Sequence, residues 1–145
     1  MKKHILSVDD EANIRALLER VLTIKGYRVS TAAGPGQASR IVKEDPPQLI
    51  IVDFQIEEGD GFTLIEKFKK VLPTTPILLL TGVIFDHKVV RDTIEKKVDS
   101  YLDKTESLNK IVIEIQRLLG DPQDDPLLPL NLSAPTALEI ASAIG

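Results

Sequence analysis

Five polar residues of this 145-residue chain stand directly after short apolar runs. Asp9 and Asp10 follow His4–Val8, Asp53 follows Leu49, Ile50, Ile51 and Val52, Thr81 follows residues 77–80, and Lys104 follows a short run centred on Tyr101 and Leu102. An aspartate after an apolar strand is commonly a turn-former or the N-cap of the next helix, and Asp53 by itself favours that structural role. Several such residues at successive strand ends change the balance. Carboxylates held ~4 Å apart repel by roughly 4 kcal/mol at an effective dielectric of 20, so a cluster of them calls for a compensating cation. Oxygen donors without histidine or cysteine suit a hard ion, Mg²⁺ before Mn²⁺ or Ca²⁺, and Mg²⁺ readily takes a phosphate oxygen as a further ligand. The chemistry that follows is phosphoryl transfer to a carboxylate. Asp53 is the nucleophile, Lys104 and the metal neutralise charge on the phosphoryl oxygens, and Thr81 donates its hydroxyl to one of them.

That reading requires the strand ends to converge, which depends on the elements that carry them. Leu49–Asp53 is too short for a helix and rich in β-branched residues, the pattern of a strand buried on both faces. Ile14, Leu17, Leu18, Val21 and Leu22 repeat at helical spacing after the first strand, with Gly26 as the stop. Residues 28–33 alternate as a second strand, and Pro35 opens a second helix running to about Lys43. Phe62, Ile65, Phe68, Val71 and Leu72 form a third helical stripe closed by Pro73 and Pro76, and Val89, Val90 and Ile94 form a weaker one across 86–97. A last strand at 99–103 precedes a strong helix carrying Leu108, Ile111, Val112, Ile115, Leu118 and Leu119. Five strands alternating with five helices predict an α/β protein with a doubly wound parallel sheet. The common five-strand order, 2-1-3-4-5, places strand 1 beside strand 3 and brings Asp9, Asp10 and Asp53 into the crevice outside the strand ends.

Composition excludes several classes. A net charge of −4, from 18 basic and 22 acidic side chains, provides no basic field for nucleic acid. The absence of cysteine rules out disulfides, thiolate nucleophiles and cysteine-bound zinc. Neither a signal-peptide core nor an apolar stretch long enough to span a membrane is present, so a cytoplasmic location is expected. From residue 121 the composition shifts: Pro122, Pro126, Pro129 and Pro135 suggest an extended linker, and Thr136 to Glu139 match a capping box for a short helix over 136–144. The expected organisation is a domain at 1–120 and a linker or tail at 121–145.

The order of these residues resembles the receiver domains of two-component response regulators. The match rests on Asp9-Asp10, Val52-Asp53, Gly61 eight residues later, Leu80-Thr81-Gly82, and Tyr101-Leu102-Asp103-Lys104. The resemblance implies a flavodoxin-like, chemotaxis-regulator-like fold and an Asp53 that accepts phosphate from a histidine kinase or phosphotransfer protein. It also implies that Mg²⁺ is bound by Asp10, Asp53 and the backbone carbonyl of Gln55, with Asp9 acting through water, and that Thr81 and Tyr101 form a switch pair. The face of the fourth and fifth predicted helices is the one such domains use for homodimers. Such a chain is not a conventional enzyme, although it catalyses its own phosphorylation and dephosphorylation. It stands alone or forms the front of a longer regulator. A receiver-like scaffold that binds partners without phosphate is the competing reading. Three departures from the family pattern stand out: Ile56-Glu57 replaces Met-Pro, Lys97-Val98 replaces Gly-Ala, and Thr105 replaces the proline after the lysine. Because that lysine–proline bond is commonly cis in the family, the last departure leaves the placement of Lys104 open.

Overall fold

The computed structural model describes residues 2–53, 61–81 and 97–124. Within them run five strands, β1 (His4–Val8), β2 (Arg28–Ala32), β3 (Leu49–Asp53), β4 (Ile77–Thr81) and β5 (Ser100–Asp103), with four helices, α1 (Ala12–Ile24), α2 (Pro35–Glu44), α3 (Gly61–Val71) and α4 (Leu108–Leu118). Helix α4 is the fifth predicted helix. The fourth, together with Gln55, Gly82 and the 136–144 capping-box helix, lies outside the described residues apart from Lys97. All strands are parallel in the order β2-β1-β3-β4-β5. The predicted α/β sheet order is therefore observed.

Every residue of β1, β3 and β4 is buried, whereas the edge strands β2 and β5 are more open. This is why the central runs are largely apolar rather than alternating, with only His4 and Ser7 of β1 polar ahead of the strand ends: both faces are covered. On one face Ile5, Leu49, Ile51, Leu78, Leu80 and Leu102 meet α1 and α4. On the other, Leu6, Val8, Ile50, Val52, Ile77 and Leu79 meet α2 and α3. The apolar stripe of α1 buries Ile14, Leu17, Leu18 and Leu22, worth about 1.5–3 kcal/mol each before ordering costs. Gly26 ends this helix at φ +98°, where the Gly26 amide donates to Thr23 and the Tyr27 amide donates to Leu22. That double closure requires a left-handed residue, which glycine adopts without strain.

The chain remains tied down just past α4. The Asp121 carboxylate accepts from Lys3 (2.5 Å) and from the Tyr27 hydroxyl (2.7 Å). Asp124 pairs with Lys25 and exchanges two hydrogen bonds with Gln116, whose amide is buried. Residues 121–124 therefore lie against the start of β1 and the end of α1, at the opposite end of the strands from Asp53.

Candidate functional site

Strand register brings the site together. Val8 pairs with Val52, so Asp9 and Asp53 extend neighbouring strands at the same level. The two-residue period turns both toward the α1 and α4 face, in line with Ile5 and Ile51. The Asp9 amide continues the ladder to Ala32 (3.0 Å), while the Asp9 carboxylate accepts from the Glu11 amide (2.9 Å). Arg15 donates to the Asp9 carbonyl (2.6 Å). The first bond ties the end of β1 to β2, and the other two fix the first turn of α1 against the end of β1.

Lys104 enters from β5. Its amide donates to the Thr81 carbonyl (2.8 Å), which extends the β4–β5 pairing by one residue. Thr105, in the position where the family carries proline, uses its amide (2.8 Å) and its hydroxyl (2.9 Å) on Asp103 Oδ1. No cis peptide bond occurs among the described residues, so the Lys104–Thr105 link is trans. The lysine side chain reaches inward with 3% exposure, and its Nζ lies 2.9 Å from Asp9, 2.7 Å from Glu11 and 3.1 Å from Asp53.

The charges are strongly perturbed. Burial pushes the Asp9 carboxyl up to about 7, against the opposing pull of Lys104 and the Glu11 amide. Burial also works against the Lys104 ammonium, but the Glu11 hydrogen bond and the fields of Asp9 and Asp53 outweigh it and hold the lysine above its ordinary value. An ammonium enclosed by carboxylates is the pairing that a low-dielectric pocket demands.

Asp9, Asp10, Glu11 and Asp53 each present a carboxylate oxygen within 4.8 Å of the others. Two are buried and two reach solvent, so the cluster opens outward. An all-oxygen donor set of this density fits a hard divalent cation and disfavours a soft one. Of the residues singled out in the sequence, Asp9, Asp10, Asp53 and Lys104 come together, and Thr81 is buried at the end of β4 beside them. Tyr101 pairs with Leu79 and shares its face of the sheet with Thr81, but unlike Thr81 it is exposed, at 38% for the residue. Glu11 was not among the site residues expected from sequence. Its signal was the third carboxylate of Asp9-Asp10-Glu11, which in the sequence reads equally as a side chain capping α1; Glu11 is the N-cap residue, but its carboxylate makes no capping hydrogen bond.

The five-stranded parallel sheet and the acidic pocket at its strand ends are those of a receiver-type signalling module, and comparison with known proteins shows the same class. Residues 5–116 match the family model of the response regulator receiver domain, and the chain belongs to that family. It is 34% identical over 120 residues to the protein named "Probable transcriptional regulator ycf27" of Porphyra purpurea, an alignment covering 81% of this chain and 48% of the relative. It is 33% identical over 104 residues to the transcriptional regulatory protein GlrR of Escherichia coli, covering 70% of this chain and 22% of that protein. Among solved structures it is similar to a CheY-like receiver domain protein from Methanospirillum hungatei, with a TM-score of 0.76 and 25% identity over 83% of this chain and 95% of that one. The chain thus spans about half the length of ycf27 and less of GlrR. No helix among the described residues is long and apolar enough to cross a membrane.

Proposed function

We propose that this receiver domain is switched by phosphorylation of Asp53. A carboxylate oxygen of Asp53 attacks phosphorus, the P–N bond of a phosphohistidine on a histidine kinase or phosphotransfer protein breaks, and its electron pair returns to the imidazole. The observation that carries this reading is the buried Lys104 ammonium, 3.1 Å from Asp53 and 2.9 Å from Asp9, because it supplies positive charge where phosphoryl oxygens gather. Asp10, Asp53 and the Gln55 carbonyl would hold Mg²⁺ (or Mn²⁺), with Asp9 acting through water, and the ion would supply a divalent charge for the phosphoryl oxygens. Thr81 donates to a phosphoryl oxygen, and Tyr101 follows it inward from its exposed position. Residues 1–120 form the switch and residues 121–145 the tail. The output is carried by a further domain or a partner, as the names of the transcriptional relatives suggest, or by homodimerisation through the fourth and fifth predicted helices. No direct nucleic-acid or membrane contact by this chain is part of the reading, and its setting is cytoplasmic.

The test is intact mass after incubation with acetyl phosphate. One added phosphoryl group is expected in Mg²⁺, none in excess chelator and none in Asp53→Asn. Labelling of Asp53→Asn equal to wild type refutes the assignment. A well-folded wild type that never labels leaves the phosphate-independent scaffold.

A further inference from the structure

The ammonium of Lys104 has three hydrogens, and three carboxylates lie within 3.1 Å of it. They are unlike in one respect. Asp9 and Asp53 are buried, with side chains 4% and 5% exposed, whereas the Glu11 side chain is 50% exposed and makes the shortest contact, 2.7 Å. Glu11 is also the N-cap of α1, yet its carboxylate accepts no capping hydrogen bond from the helix. An acid at a helix N-terminus is ordinarily stabilised by the exposed amides there. Here it is turned instead toward a lysine 93 residues away.

We propose that Glu11 is a positioning residue that, from the solvent side of the pocket, holds one face of the buried Lys104 ammonium in the resting protein and gives it up when the phosphoryl group arrives. The inference rests on the phosphorylation of Asp53 proposed above. Phosphorylation replaces one carboxylate charge by a dianionic phosphoryl group, and the ammonium follows the larger charge. Of its partners, Glu11 is released at least cost, because a half-exposed carboxylate regains water while a buried one does not. The resting contact therefore opposes the transfer: Glu11 competes with the phosphoryl oxygens for the same cation, and its own charge repels the incoming donor. Its removal should ease phosphorylation rather than impair it, the opposite of what a supporting ligand would do.

The experiment compares wild type with Glu11→Gln, which keeps size and polarity but not charge, at saturating Mg²⁺ so that metal affinity does not enter. The acetyl phosphate labelling rate is expected to rise by about threefold, the scale of one half-exposed ion pair. In the same proteins the ¹⁵Nζ resonance of Lys104 is followed. It is expected to shift in resting Glu11→Gln relative to resting wild type, and to shift again in wild type on phosphorylation. An unchanged or slower rate in Glu11→Gln overturns the proposal, as does a faster rate with the resting Lys104 resonance unmoved, since the effect would then be repulsion without a hold. Failure of wild type itself to label overturns the proposed function instead, so the two failures are distinguishable.

Discussion

Replacing Lys104 with methionine keeps the volume of the side chain and removes its charge, leaving the buried carboxylates of Asp9 and Asp53 to face each other. At an effective dielectric of 20, contacts of 2.9 and 3.1 Å are worth about 5.5 kcal/mol each in gross attraction. Most of this is offset by the cost of burying the ammonium, and loss of one partner from a buried ion pair typically leaves a net penalty of about 3–5 kcal/mol. Asp9, already pushed up to about 7, can take a proton and relieve part of that penalty, which favours the lower end. The expected loss in excess chelator is about 3 kcal/mol, or about 10 °C in Tm for a domain of this size. Mg²⁺ should then return about half of it, because a divalent ion stabilises the folded state that gathers the carboxylates. Urea denaturation of wild type and Lys104→Met, each with chelator and with Mg²⁺, reads both numbers. A loss below about 1 kcal/mol in chelator, or the same loss in both conditions, would refute the view of Lys104 as the pocket's internal counter-ion.

Two further predictions concern stability. Burial and the nearby Arg28 hold buried His4 below its ordinary value of 6.5, against the pull of Asp45, so the unfolded chain takes up a proton before the folded one does. The stability of the neutral form is complete above about pH 6.5 and is lost as pH falls through that value toward the lower folded pKa; denaturation at about pH 7.5 and 5.5 should show a smaller drop for His4→Phe than for wild type, and equal drops would exclude the histidine as the cause. Gly26→Ala meets no atom within 4 Å yet must adopt φ +98°, so about 1 kcal/mol of destabilisation is expected by thermal melting, with a neutral result showing that the turn can rearrange.

The sequence was most informative where burial dictates residue type. The runs of β3 and β4, and most of β1, are apolar because both of their faces are covered, and each leads into a polar residue singled out for the site. The stripe of α1 and its Gly26 stop were legible for the same reason. What could not be read depends on contacts between distant residues. Nothing near Glu11 announces that it turns to Lys104 rather than capping its own helix, because that choice is made by a lysine at the end of the last strand. The proline-rich composition after Gly120 suggested an extended linker, and the contacts of Asp121 and Asp124 arise only because Lys3, Tyr27, Lys25 and Gln116 converge there. Thr105 likewise gave no hint that a turn around Asp103 secures Lys104 on a trans bond.

A sheet buried on both sides raises a problem of alignment that its site helps to solve. In β3 the residues alternate between the two cores, Leu49 and Ile51 toward one, Ile50 and Val52 toward the other, and all four are of similar size and polarity. A slip by one residue would exchange aliphatic for aliphatic, so apolar patterning penalises it only weakly. The same slip would carry Asp53 about 3.3 Å along the strand and turn its carboxylate to the opposite face, away from Lys104. An unpaired charge there costs several kcal/mol, more than the mismatch of any one methyl group. The ion pairs of the pocket thus favour one register of β3 in a sheet whose apolar pattern discriminates weakly between two.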